Sequence, residues 1–448
     1  MSGPAVEHVL RARRAVIDGT VRSAAIGLAD GMIRVVREID AVFDSVEQTV
    51  LEPDVVLLPG LVDTHVHIND PGTDWEGFAT ATAAALAGGI TTVVDMPLDS
   101  DPVTTTVAAL DAKRAAAAGV CRVDTGFWGG IVPGNLGSFG ELAAAGVLGF
   151  KCFLSESGNP NFPPLDVAEF RGAMAVVAAL DSVLLVHAES ARVLAGCPPP
   201  VGRDYGDFLR SRPDAAEQDA VRIVLDAVAD TGARAHIVHV SSAAVLPLIA
   251  EAKRAGLPVT AETCPHYLTF AAESIPDGGT EFAVCPPIRG EDNRALLWAA
   301  LADGTLDMVV SDHSPCAPQH KDLHGGDFGR AFGGISSLQI ALPALWTQAV
   351  GAGFGLPDVC RWMAQAPAAL AGLTDRGVIA PGKRADFCVF DPDAAWIVRG
   401  TDLHHRHPIT PYEGVALNGA VRQMWRSGRV MDEDTHGELL CAGMREPA

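Results

Sequence analysis

Long apolar runs are missing from this 448-residue sequence. No stretch reaches membrane-spanning length, and Arg11, Arg13 and Arg14 near the start have no continuous apolar block behind them, so neither a membrane span nor a secretory leader is expected. Positive charge is scarce as well. Lys and Arg number 33 against 55 Asp and Glu, a formal net charge of -22. That balance repels phosphate backbones and anionic lipid, so neither nucleic acid nor a membrane surface is an expected partner. Paired cysteines are also lacking. The nine Cys are odd in number, scattered from 121 to 441 and never spaced Cys-x-x-Cys. This argues against a disulfide frame or a thiolate zinc site, and for reduced thiols in a cytoplasm. There is no low-complexity segment.

What is present is a globular composition, 48% hydrophobic and 20% charged, with 46 Gly and 30 Pro supplying turns. Residues 6–56 read as short β segments, for example Arg14-Ala15-Val16-Ile17-Asp18-Gly19 and Ile33-Arg34-Val35-Val36. From Leu57 the texture changes to apolar runs alternating with Ala-rich stretches of helical length. The strand candidates are 57–67, 90–97, 123–131, 147–154, 183–189, 235–241, 258–264 and 307–312; helix-like segments lie at 75–87, 104–118, 166–180, 214–230, 242–255 and 292–303. Eight such βα units predict an α/β fold of the (β/α)8 TIM-barrel type, with chemistry at the C-terminal strand ends; a doubly wound sheet would give a similar string. Short strand texture returns after about residue 375. The expected organisation is therefore residues 1–57 and 375–448 forming one small β-sandwich domain from both chain ends, flanking a barrel over 58–374.

The histidines carry the chemical signal. In Val62-Asp63-Thr64-His65-Val66-His67, alternate residues of a strand face one side, so His65 and His67 project together and can share one cation. A lone histidine is more often an ordinary hydrogen-bonded residue. Here the pattern recurs: other apolar runs end in His187 and Glu189, in His239 and Ser241, and in Ser311-Asp312-His313-Ser314. Imidazole and carboxylate ligands suit a divalent metal. Lys151 sits among Val147-Leu148-Gly149-Phe150 and Cys152-Phe153-Leu154, where an unpaired ammonium is costly. It either snorkels out of the strand end or, as a neutral amine, is converted to an anionic ligand bridging two metals. Two cations sharing a hydroxide lower the pKa of water and polarise a carbonyl, and Asp312 beside them could move the proton. Hydrolysis is the reaction class expected.

The segments Pro59-Gly60-Leu61-Val62-Asp63-Thr64-His65-Val66-His67, Gly149-Phe150-Lys151, Val186-His187-Ala188-Glu189, Val238-His239-Val240-Ser241 and Ser311-Asp312-His313-Ser314 resemble the cyclic amidohydrolases, which comprise dihydroorotases, hydantoinases or dihydropyrimidinases, and allantoinases. The resemblance extends to Pro381-Gly382-Lys383-Arg384-Ala385-Asp386. It implies two metal ions, usually zinc, with His65, His67 and Asp312 on the more buried one, His187 and His239 on the other, and a carboxylated Lys151 between them. It also implies a bridging hydroxide, Asp312 as the catalytic acid-base, and a homo-oligomer, commonly a tetramer.

Within the family, Asn69 and Leu98 stand where dihydroorotases carry an arginine and an asparagine for the substrate carboxylate, and Phe153-Leu154-Ser155-Glu156-Ser157-Gly158 lacks the tyrosine usual in hydantoinases. What remains is similar to the allantoinases, in His67-Ile68-Asn69-Asp70-Pro71-Gly72, Glu262-Thr263-Cys264-Pro265-His266-Tyr267 and Gly333-Gly334-Ile335-Ser336-Ser337. The expected substrate is then allantoin, opened at its hydantoin ring to allantoate, with Asn69, His266, Cys285 and Gly334 as candidate substrate contacts. Cys285 stands where a small residue is usual. A hydantoinase or dihydropyrimidinase is the alternative. A different class, the metal-free interaction proteins related to hydantoinases, would have lost ligands that are all present here. Trp75, Trp128 and Trp346 read as packing residues, Cys152 as facing away from Lys151, Glu189 as an orienter of a ligand histidine or a helix-start carboxylate, and His404, His405 and His407 as surface residues.

Overall fold

The structure is a computed structural model that describes residues 6–43, 47–432 and 435–442. An eight-stranded sheet draws on both ends of the chain: Arg429–Val430, Ala416–Arg426, Phe387–Ile397, Val56–Pro59, His8–Ile17, Thr20–Ala29 and Met32–Arg37 in that order, with Glu47–Val50 also paired to His8–Ile17. Its hairpins close on Asp18-Gly19, Asp30-Gly31 and Ser427-Gly428, every one of these six residues having φ between 48° and 75°. Two consecutive left-handed residues match the twist of the flanking strands, which is why Gly follows a small polar residue in all three. Leu10, Ile26, Leu57, Phe387 and Trp425 belong to the separate apolar core of this sheet.

The segment 57–67, expected as one strand, is two. Val56–Pro59 pairs antiparallel with Phe387–Phe390 in the end-built sheet, and Leu61–Val66 pairs parallel with Ile90–Asp95. A continuous apolar run hides this break because both pieces are fully buried.

Parallel strands make up the rest. Leu61–Val66, Ile90–Asp95 and Asp124–Phe127 form one sheet; Gly129–Gly130, Phe150–Phe153, Val183–His187, Arg234–Ile237, Val259–Thr263 and Met308–Val309 form another. Nearly every residue in them is buried, as expected of parallel strands covered on both faces. Main-chain bonds join the two sheets at both edges. The Leu148 N–H donates to Phe127 (3.0 Å) at one edge, and at the other the His67 N–H donates to the His313 carbonyl (2.8 Å), beside a parallel bridge between Val66 and His313.

Helices Phe78–Ala87, Val107–Ala117, Val167–Ala179, Asp214–Thr231, Leu246–Arg254 and Glu291–Asp303 alternate with these strands. Their starts are marked locally: Thr106 accepts from the Ala109 N–H, and Asp166 with Glu169 makes a reciprocal capping box. The main core packs helices on one side of the strands. A second set of residues, among them Val94, Trp128, Phe153, Leu185, Val238 and Val310, packs on the opposite side. Alternation along a strand therefore sends Cys152 into the helix-facing core and leaves Lys151 and Phe153 on the other face.

Candidate metal centre

The C-terminal ends of the parallel strands open into one cavity of about 470 Å³, and His65, His67, Lys151, His187, His239 and Asp312 all line it. His187 and Lys151 lie within strands, whereas His239 and Asp312 follow theirs on turns with φ of 39° and 43°. Positive φ is uncommon for residues with a Cβ and concentrates where function fixes the backbone. Here both kinked residues line the cavity.

His65 Nε2 lies 3.1 Å and His67 Nε2 3.6 Å from Asp312 Oδ1. Each of these three residues offers a ligand atom within 4.8 Å of the other two. Nearby, His187 Nδ1 faces His239 Nε2 at 2.9 Å, with the rings perpendicular. The His65 and His239 rings are 5.4 Å apart, so the two groups adjoin.

Carboxylates behind the imidazoles set which nitrogen faces the cavity. His65 Nδ1 meets Glu262 Oε1, and the other oxygen of Glu262 takes His236 Nε2 at 2.8 Å. His187 Nε2 meets Glu189 Oε2 at 2.7 Å, and Arg212 binds the same oxygen. A ring nitrogen that donates to a carboxylate leaves the opposite nitrogen as a lone pair, the form a metal requires. Burial pushes Glu189 upward, but the Arg212 guanidinium and His187 outweigh it and hold the carboxyl at about 2. Burial lowers His187 to about 4 against the pull of Glu189, and lowers His67 and His239 well below the ordinary imidazole range. These three rings are therefore neutral at pH 7.

The donor set fits divalent cations on a second ground. His65 Nε2, His67 Nδ1, His239 Nδ1 and Lys151 Nζ are buried with no hydrogen-bond partner among the described residues. Buried polar atoms are rarely left this way without a ligand. Lys151 is fully buried, its ammonium 4.9 Å from the Phe153 ring centre. Burial lowers its pKa to about 8 despite Glu262 and Asp312. Burial also raises the Asp312 carboxyl, against His65 and Ser314. Asp312 Oδ1 accepts from Ser314 Oγ at 2.8 Å and faces both histidines.

The four candidate substrate contacts fall in different places. Cys285 lines the cavity. Gly334 sits beside the lining residue Gly333, but its N–H donates to the Ala283 carbonyl and its carbonyl accepts from Lys321. Asn69 is buried with φ 60° and donates to the Pro315 carbonyl; it is not among the lining residues. His266 is buried in the short helix Pro265–Thr269, close to Cys264 and Asp312, and neither ring nitrogen has a hydrogen-bond partner among the described residues. His405, expected at the surface, is buried with its ring 4.8 Å from that of His313, because the C-terminal segment returns over the strand ends. His313 points away from the cavity toward Glu76. Glu262, His236 and Arg212 escaped the sequence reading, since a carboxylate within the apolar strand Val259–Thr263 shows its purpose only when the neighbouring strand's histidine is placed against it.

Residues 56–431 match the sequence model described as the amidohydrolase family. The chain is 49% identical over 448 residues to a protein named allantoinase from Streptomyces avermitilis, covering 99% of each. It is 44% identical over 388 residues to the allantoinase of Saccharomyces cerevisiae, 85% of this chain and 84% of that one. Among solved structures, L-hydantoinase (dihydropyrimidinase) from Arthrobacter aurescens superposes with a TM-score of 0.89 over 98% of both chains at 28% identity.

Proposed function

The chain belongs to the amidohydrolase family, and from this we propose that it hydrolyses allantoin to allantoate by opening the cyclic amide of the hydantoin ring. The observation that carries this reading is the convergence of His65, His67, Lys151, His187, His239 and Asp312 on one cavity. Two divalent ions held there, of which zinc suits the imidazole and carboxylate donors, would acidify a water and polarise the amide carbonyl. His65, His67 and Asp312 would hold one ion and His187 and His239 the other, with Lys151 as a carbamate between them. A carbamate needs a neutral amine, which the lowered pKa of Lys151 favours.

The chain's own groups then divide the work. Glu262 and Glu189 orient His65 and His187. Asp312, its Oδ1 turned to the histidines and its pKa raised by burial, takes a proton at attack and returns it to the leaving nitrogen. Phe153, Leu98 and Phe332 line the cavity and exclude bulk water. The parallel strands are read as a closed (β/α)8 barrel over 58–374 with a β-sandwich from 1–57 and 375–448, supported by the main-chain bonds at both sheet edges. No helix among the described residues is long and apolar enough to cross a membrane, and the nine free cysteines suit a cytoplasmic enzyme. A homotetramer is the assembly to test by light scattering.

The deciding experiment offers allantoin, hydantoin, dihydrouracil and dihydroorotate to the enzyme before and after chelation and metal return. Allantoin should be turned over fastest, and only with metal. Preference for plain hydantoin would favour the second reading, a hydantoinase, for which the structural likeness at 28% identity speaks.

A further inference from the structure

Lys321 is buried, follows the short 3-10 turn Pro318–His320, and has no carboxylate among its hydrogen-bond partners. Its ammonium donates instead to three main-chain carbonyls: Ala283 at 3.0 Å, Phe332 at 2.9 Å, and Gly334. A lysine ammonium has three protons, so all are used. Burial lowers its pKa to about 8, which keeps the proton on at neutral pH.

Those carbonyls belong to two separate segments, 283–285 and 332–334, that meet at the cavity wall. The Gly334 N–H donates to the Ala283 carbonyl at 2.9 Å, fastening them a second time. The contact is tight: a Cβ on Gly333 would lie 2.8 Å from Cys285 Sγ, and one on Gly334 2.2 Å from the Ser314 carbonyl. Cys285 and Gly333 both line the cavity that holds the metal-ligand set. Among the described residues, no hydrogen bond engages the main-chain N–H or carbonyl of either.

We propose that Lys321 is a positioning residue for substrate binding: its ammonium clamps two loops so that the free main-chain amide groups of Cys285 and Gly333 present a rigid slot for the amide and imide edge of the cyclic ureide. The proposal rests on the ring-opening reading above. It assigns Lys321 no contact with substrate or metal. An ammonium suits the task because one group satisfies three carbonyls at once, and those of Phe332 and Gly334 accept no other hydrogen bond among the described residues.

The test is Lys321→Met, which keeps the length and removes every donor. KM for allantoin should rise about tenfold or more while kcat stays within about threefold and bound metal is unchanged, the pattern of lost binding rather than lost chemistry. An unchanged KM in the folded variant overturns the proposal, and so does a KM rise accompanied by metal loss, which general damage would produce. Should Lys321→Met not fold, Lys321→Arg takes its place: the planar guanidinium cannot cap the same three carbonyls, so the same split in smaller measure is expected, and a parent-like KM overturns the idea. Amide exchange in the parent judges the clamp apart from activity. The hydrogen-bonded amides of Ala283, Phe332 and Gly334 should exchange as slowly as those of the parallel strands, and exchange at the rate of exposed loops would sink the clamp. If the parent fails to open allantoin, the functional reading falls while the exchange result still decides the clamp.

Discussion

His65 and Lys151 show what single residues contribute. Among the described residues neither has a hydrogen-bond partner for its cavity-facing nitrogen, and both are fully buried, so each is costly unless a cation or a modification completes it. Lys151→Ala should lose bound metal and activity together, with partial recovery when a short-chain carboxylic acid is added in place of the proposed carbamate; elemental analysis and rates with and without the acid check this. Asp312→Asn should keep the fold and lower turnover by roughly 10²–10⁴-fold, the usual worth of a positioned acid-base group, as measured by steady-state kinetics at equal metal content. Glu262→Gln should weaken metal binding by roughly 10–100-fold, because the uncharged amide has one acceptor oxygen for the two rings, His65 and His236, that the carboxylate orients. Competition with a chelator of known affinity measures that loss.

Between elements, the strand that begins at Asp124 is tied to the end-built sheet by charge. Asp124 is fully buried and meets Arg376 at 2.9 Å, Arg426 at 2.8 Å and Arg384 at 3.3 Å. Burial alone would raise its carboxyl, but the guanidiniums of Arg384, Arg376 and Arg426 bring it below the ordinary value. A carboxyl depressed in the folded state stabilises at pH values above its unfolded pKa, and that contribution fades as the pH falls through the folded value. Asp124→Asn should therefore cost about 3–5 kcal/mol at pH 7, as breaking a buried pair does. The gap to the parent should narrow below about pH 4, the ordinary Asp range, when both are unfolded in urea across a pH series. The Asp124 end of this strand lies away from the cavity, so kcat should change little in whatever fraction stays folded.

For the whole molecule, the metal site and the fold are coupled. Six ligand-type side chains from five strand ends crowd one cavity, and neutral imidazoles with unpaired nitrogens favour any ion that binds the native state over the unfolded chain. Chelation should lower the melting temperature and metal return should restore it, with a stabilisation of about 4 kcal/mol when metal stands at a thousand times its dissociation constant. Calorimetry with and without chelator reads this directly, and an unchanged melting temperature would mean the ligands are satisfied without metal.

The sequence by itself determined the strand and helix succession, the six candidate ligands that meet at one cavity, and the family, because strand periodicity and the His-x-His spacing are local properties of the chain. Even the turn chemistry of Asp18-Gly19 and Asp30-Gly31 could be read there. Tertiary structure alone decided the rest. It split 57–67 at Gly60, since only the partner strand distinguishes an antiparallel from a parallel edge. It gave Glu262 and Arg212 their roles and took His405 into the interior, and it consumed the main chain of Gly334 while leaving that of the cavity-lining Cys285 without a hydrogen bond among the described residues. Contacts between residues far apart in the chain leave no periodic trace, and their meaning exists only once packing has chosen the neighbours.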